Sequence, residues 1–280
     1  MPALTQKEHQ TLKAIGVLLY AEHRHLYRYL PYAPGKIREA TASLVRQKYL
    51  FLDLKQEVRK QAGAVPCVYS LDTKGKEYLR SLSAKESSNV PPGKPAKKKW
   101  DFQNHILHIS DLIVTIKDYC NQTGGLIARD EDGVFQLFHD LYLKQYPIKQ
   151  SPGSARPDLW TTIATSGRAR HLWWEVDLGT ERDQRRWAEK IVGIADAFDD
   201  ALARFSVPTM TVVLIAPSAA RAVRIAEWTR ATLGDHSQLL GSFRFTIEER
   251  MEDPENFLDG RHWLALNGAF GFLPGAMDSP

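Results

Sequence analysis

Residues 83–100, SAKESSNVPPGKPAKKKW, are rich in Ser, Pro, Gly and Lys and show no apolar periodicity. Such a stretch has too little apolar surface to offset the entropy of ordering it. A chain of 280 residues interrupted in this way does not fold around one continuous core. It is expected to divide into a domain at 1–82, a flexible basic linker at 83–100 and a second domain at 101–280, sizes ordinary for domains. Charge divides at the same place. Residues 1–100 hold 19 Lys+Arg against 8 Asp+Glu, whereas 101–280 hold 18 against 25. That asymmetry points to a nucleic acid or another acidic surface as the partner of the first part. Lys97, Lys98 and Lys99 read as a solvated tether, with non-specific phosphate contact as the alternative.

In the first part the spacing predicts helices over 5–19, with Leu12, Ile15 and Leu19 on one side, and over 21–30. The breaker Pro31-Tyr-Ala-Pro34-Gly35 separates these from a third helix over 36–48. Ile37, Ala40, Thr41, Leu44 and Val45 form its inner side, and Lys36, Glu39, Ser43 and Arg46 the opposite one. An extended run at 49–54, a polar basic loop at 55–64 and a second extended run at 65–71 make a hairpin, and a helix follows to Leu82. This is the order of a winged helix-turn-helix. A helix fits the major groove of double-stranded DNA, where polar side chains reach base edges and basic neighbours hold phosphates. Lys36, Ser43 and Arg46 are the groove candidates, with Arg38 at the flank. Lys55, Arg59 and Lys60 are the candidates in the wing. Winged helices also serve as protein docking modules, and that reading stays open.

The second part opens with an amphipathic helix over 102–121, its stripe formed by Ile106, Ile109, Leu112, Ile113 and Ile116. His105 and His108 lie one turn apart on it; helical histidines are more often structural than metal ligands. Extended runs at 157–164 and 169–178, a helix at 181–203, a strand at 210–216, a helix at 218–233 and a strand at 243–248 predict a mixed sheet covered by helices. Two cysteines, Cys67 and Cys120, are too few for a disulfide framework or a zinc ribbon, so a reducing, cytoplasmic setting is expected. The opening MPALTQKEHQ lacks signal-peptide order, and no run of apolar residues is long enough for a membrane span.

Two segments carry carboxylates in a suggestive pattern. Arg156-Pro157-Asp158-Leu159-Trp160 places an acid at the start of a strand. In Trp173-Trp174-Glu175-Val176-Asp177 the two-residue period puts Glu175 and Asp177 on one strand face. Asp158, Glu175 and Asp177 together would bind Mg²⁺ or Mn²⁺, ions that take hard oxygen ligands and activate water beside a phosphate. Lys190, on the following helix, would steady a phosphate or the attacking water. The plain alternative is that these acids pair with Arg156, Arg182 or Arg185 as structural ion pairs.

The succession of an expected N-terminal winged helix, a helix beginning with His105 and containing Ser110-Asp111, RPDLW, WWEVDLGTERDQRRWAEK and TVVLIAPSAARAVRIAEW resembles the replication-relaxation family over roughly residues 8–250. That resemblance implies a DNA-binding protein of a plasmid or other mobile element, acting in DNA replication, relaxation or mobilisation. A relaxase or replication protein would be a partner, and a homodimer stays open. The second part is also similar to the PD-(D/E)xK nuclease superfamily, a restriction-endonuclease-like α/β fold. Asp158 matches the first acid and Glu175 the second. Asp177 stands where that motif has lysine, so the resemblance implies a displaced lysine, Lys190; Glu131 would stand in for an acid from an earlier element. The expected fold class is α+β, a winged helix-turn-helix followed by a nuclease-like domain with a mixed sheet flanked by helices. Three activities follow as alternatives: a DNA-binding accessory protein, a divalent-metal-dependent endonuclease, or a transcriptional regulator whose second domain binds a ligand or protein. An inactive nuclease fold kept as a scaffold fits the first.

Overall fold

The computed structural model describes residues 4–54, 67–82, 100–127, 137–139, 143, 148, 155–165, 168–179, 183–234, 237–271 and 273–274. The fold is α+β, and the chain divides into two compact units, one of residues 1–114 with 131–134, the other of 115–130 with 135–280. Among the described residues no helix is long and apolar enough to cross a membrane.

The first unit starts with α1 (Gln6–Leu18), whose N-terminus is closed by a capping box: the Glu8 amide donates to Thr5 Oγ1, and the Thr5 amide donates to Glu8 at 2.8 Å. Leu19 ends the helix at φ 63° and turns the chain into β1 (Tyr20–Ala21). Then come α2 (His23–Tyr29) and α3 (Pro34–Arg46). The third helix begins two residues before the expected Lys36. Pro34 sits in its first turn, where a missing N–H leaves no bond unmade. Strands β2 (Leu50–Leu54) and β3 (Cys67–Leu71) pair antiparallel with Leu50 opposite Leu71, and β1 adds to the other side of β3. Helix α4 (Thr73–Ser81) closes this stretch. Leu12, Ile15, Leu18, Leu26, Ile37, Leu44 and Leu79 are buried at its centre. Gly75 allows α4 to approach the turn before β2: a Cβ there would lie 2.2 Å from the Tyr49 carbonyl oxygen.

Helix α5 (Trp100–Thr123) contributes its first half to this unit. Ser110 Oγ lies 2.9 Å from the Leu18 carbonyl, 2.8 Å from that of Tyr20 and 3.1 Å from that of Ile106, three acceptors that share its one proton. Asp111 accepts from both terminal nitrogens of Arg24, at 2.7 and 2.9 Å, and stands 3.0 Å from His25 Nε2. Despite burial, these partners hold the Asp111 carboxyl below its usual range. Gln103 donates to Asp53 at 3.1 Å.

The second unit is built on a mixed sheet. Its strands are β4 (Leu126–Ile127), β5 (Leu137–His139), β6 (Leu159–Thr165), β7 (Arg168–Val176), β8 (Thr211–Ala216), β9 (Phe243–Ile247), β10 (Trp263–Ala265) and β11 (Phe270–Gly271). Their order is β11-β10-β9-β8-β7-β6-β4, with β5 also paired to β6. Antiparallel β6 and β7 pair from Leu159–Trp174 to Thr165–Arg168. Strands β7, β8 and β9 run parallel, linked by α6 (Gln184–Phe205) and α7 (Ala219–Thr232), and α8 (Pro254–Asp259) precedes β10. Six consecutive buried residues in β8 mark a strand covered on both faces. The β7 side chains sort by parity. Trp174 stacks on Phe257 of α8 with ring centroids 6.1 Å apart. Trp160, opposite Trp173 in register, stacks on Phe205 at 3.9 Å, on the side of α6. The short elements β1, β4, β5, β10, β11 and α8 have no counterpart in the periodicity.

Candidate functional site

The site lies where β7 ends and β6 begins. Leu159 pairs with Trp174, so Asp158 falls beside Glu175. The Asp158 amide donates to the Trp174 carbonyl at 3.0 Å, and its carboxylate accepts from the Val176 amide at 2.8 Å. Thus the Asp158 side chain caps the end of the β6–β7 ladder and cannot drift from Glu175.

Glu175 is only 2% exposed. Its Oε1 accepts from the Trp173 indole at 2.7 Å, and its Oε2 lies 2.5 Å from Lys190 Nζ. Burial pushes the Glu175 carboxyl up to about 7, Lys190 pulls against that, and the Asp158 charge adds to the rise. One buried carboxylate beside another favours any cation that enters. Here the ammonium of Lys190 already stands against it, carried 15 positions further along the chain by the second turn of α6.

Asp177 shares the strand face but has other partners. Its carboxylate accepts from Arg221 of α7 at 2.6 and 3.3 Å and from the Gly179 amide at 3.0 Å. The structure therefore gathers Asp158, Glu175 and Lys190 and sets Asp177 in a separate ion pair with Arg221. Composition offered no signal for Arg221, because the pair spans 44 positions and forms only when α7 packs. The Trp187 ring stands between the two pairs, its centroid 5.7 Å from Lys190 Nζ and 5.7 Å from Arg221 Cζ. Its indole N–H donates to Thr229 at 3.0 Å, which fixes the ring. Glu131, Thr180, Glu181 and Arg182 lie outside the described residues.

Two carboxylates of hard oxygen, Asp158 and Glu175, are a donor set that suits Mg²⁺ or Mn²⁺, which usually bind through one or two carboxylates and retain several waters.

In the first unit, Lys36, Arg38 and Arg46 are exposed on α3. Lys36 Nζ lies 2.9 Å from Glu39, a solvent-exposed pair of small energetic weight. The Ser43 hydroxyl donates to Glu8 of α1 at 2.6 Å, with Gln47 donating to the same oxygen at 3.1 Å. These bonds hold the Glu8 carboxyl below its usual range against the opposing effect of burial. Lys55, Arg59 and Lys60, and with them the segment expected to form a wing, lie outside the described residues.

Fold and site define a class: a two-unit α+β protein whose mixed sheet ends in a buried carboxylate–lysine cluster. The chain belongs to the replication-relaxation family, whose model matches residues 3–198. That range includes Asp158, Glu175, Asp177 and Lys190, while Arg221 lies beyond it. No curated protein and no solved structure matches the chain.

Proposed function

We propose that the protein binds double-stranded DNA of a plasmid or mobile element through an N-terminal winged helix. In the same reading its second unit is a nuclease-like domain that hydrolyses phosphodiester bonds with Asp158, Glu175 and Lys190. Family membership supports a role in replication or relaxation. The order helix, strand, helix, helix, hairpin, with β1 antiparallel to β3, supports the winged-helix reading. The observation that carries the catalytic reading is the 2.5 Å contact between Lys190 Nζ and Glu175 Oε2. It supplies from a helix the lysine that the strand lacks at Asp177.

In this mechanism Asp158 and Glu175 would hold Mg²⁺ or Mn²⁺, which when bound polarises a phosphate oxygen and acidifies a water. Lys190 withdraws from Glu175 to donate a hydrogen bond to the attacking water or to a phosphate oxygen. Trp173 keeps the other Glu175 oxygen in place. Asp158, tied to the Val176 amide, fixes the spacing of the two acids. The water oxygen bonds to phosphorus as a bridging P–O bond breaks, and in net balance the proton that the water loses is matched by the one that the leaving oxygen gains.

A second reading, a binding factor built on an inactive nuclease fold, draws support from the engagement of both Glu175 oxygens. Incubation of supercoiled plasmid with Mg²⁺ or Mn²⁺ separates the two. Nicking by the wild type that is lost in Glu175→Gln supports the catalytic reading; no cleavage with DNA binding intact supports the second. For the first unit, Arg46→Ala should weaken binding to a cognate site by about 1–3 kcal/mol if Arg46 reads a base. Unchanged affinity and specificity in a titration would remove α3 from the groove.

A further inference from the structure

The second unit has more acidic than basic residues, but along α6 bases outnumber acids in the first two turns, where Glu189 is the exception, and acids outnumber bases in the second half, where Arg204 is the exception. Arg185, Arg186 and Lys190 lie in the first turns, and the exposed acids Asp196, Asp199 and Asp200 lie in the second half. Because β7, β8 and β9 run parallel through α6 and α7, both helices start at the end of the sheet where β7 and β8 finish. Their first turns therefore flank Glu175 and Asp177. Each of those acids already faces its own cation, Lys190 or Arg221. The charge of the remaining arginines is not cancelled by them. Arg186 and Arg224 are exposed and make no ion pair among the described residues. Among the described residues Arg185 pairs with exposed Glu189 alone, at 3.1 Å, which carries little energy. Arg221, one turn before Arg224, is fixed by Asp177 and lies over both Trp187 and Trp228, at 5.7 and 5.2 Å.

An inner pair of neutralised acids bordered by outward guanidinium groups suits a polyanion whose phosphates repeat along a strand. Guanidinium groups match phosphate oxygens two at a time. We propose that Arg185, Arg186 and Arg224, braced by Arg221, form a rim that grips the sugar–phosphate backbone of DNA presented to the Asp158–Glu175–Lys190 cluster. The purpose of the rim rests on the phosphodiesterase reading, but its grip on DNA does not.

The test uses the full chain with Arg38→Ala and Arg46→Ala, which reduces the share of α3, and compares it with the same chain carrying Arg186→Ser and Arg224→Ser. Affinity for a short non-specific duplex is followed by fluorescence anisotropy in EDTA across about 50–200 mM salt. Loss of two phosphate contacts should make the log–log salt slope shallower by about 1–2. Affinity at the lowest salt should fall about tenfold or more. Replacement of the same two residues by lysine should restore the slope. An unchanged slope, or no residual binding before the rim is altered, overturns the rim; circular dichroism and the unfolding midpoint verify that each variant is folded. Plasmid cleavage by the wild type is scored separately. A shallower slope without wild-type cleavage retains the rim and removes the phosphodiesterase, whereas cleavage with an unchanged slope does the reverse.

Discussion

Strand β7 carries a buried charge on each face, and the two are treated in opposite ways. Toward α8, Arg170 is 2% exposed; it donates to the Leu258 carbonyl at 3.0 Å and pairs with Asp259, which also accepts from Tyr119 at 2.8 Å. One cation meets an anion and a carbonyl, so the charge is complemented. Toward α6, the equally buried Glu175 meets Lys190 but also feels Asp158. A buried charge that only holds a fold is surrounded by its complement. One with like charge beside it is held at a cost in stability, as groups with chemical work to do commonly are. The first arrangement favours a single stable packing, and the second leaves two neighbouring acids, Asp158 and Glu175, with Lys190 against Glu175.

The largest effect that would break this comparison is on activity. On the catalytic reading, Glu175→Gln should lower metal-dependent nicking more than about a hundredfold, a few kcal/mol of transition-state stabilisation, while the variant remains folded. Arg170→Met should do the converse. It should cost about 2–4 kcal/mol, because Asp259 and the Leu258 carbonyl lose a charged donor. The measurement is urea unfolding with an unchanged m value, and a loss below about 1 kcal/mol would show that Arg170 is no structural anchor. A smaller test lies on the same face. Thr161→Val leaves the buried Trp174 indole without its 2.8 Å acceptor and should cost about 1–2 kcal/mol.

The finest test is the pH dependence of stability. Glu175 has its folded pKa raised, to about 7 from 4.5. The folded state therefore holds a proton that the unfolded state has already released, and stability must fall as pH rises from about 4.5 to about 7. Glu175→Gln should remove that slope, so its stability relative to wild type should increase across the same window. Parallel pH profiles for the two proteins would mean that Glu175 is not strained by burial.

How much of this was legible in the sequence depended on the range of the interactions. The parity of β7 was readable, because a two-residue period needs only local backbone geometry, and Glu175 and Asp177 do face the α6–α7 side. Their partners were not, because Lys190 and Arg221 arrive from helices whose packing offsets no period encodes. The same limit applied on α3. A helical wheel puts Ser43 on the outer side, yet Glu8, 35 residues earlier, reaches it through the packing of α1 on α3. Pro34 reads in the sequence as part of a breaker, and it is its place in the first turn of α3 that accounts for the start of that helix. The composition break at 83–100 was plain, although Trp100 already belongs to α5, whereas the bonding of Gln103, Ser110 and Asp111 to residues of the first unit was not, since an amphipathic stripe does not say what it covers. Two- and three-residue strands such as β1 and β10 owe their existence to neighbours and leave no periodic trace.

The placement of Lys190 on α6 rather than on β7 also bears on the order in which the cluster is assembled during folding. Asp158 and Glu175 come together with the β6–β7 hairpin, a local event, whereas Lys190 joins only when α6 docks, and Arg221 only after β8 and α7 are in place. A nascent chain therefore displays its acids before their counter-charges, and the centre becomes complete only when the parallel half of the sheet has been laid down.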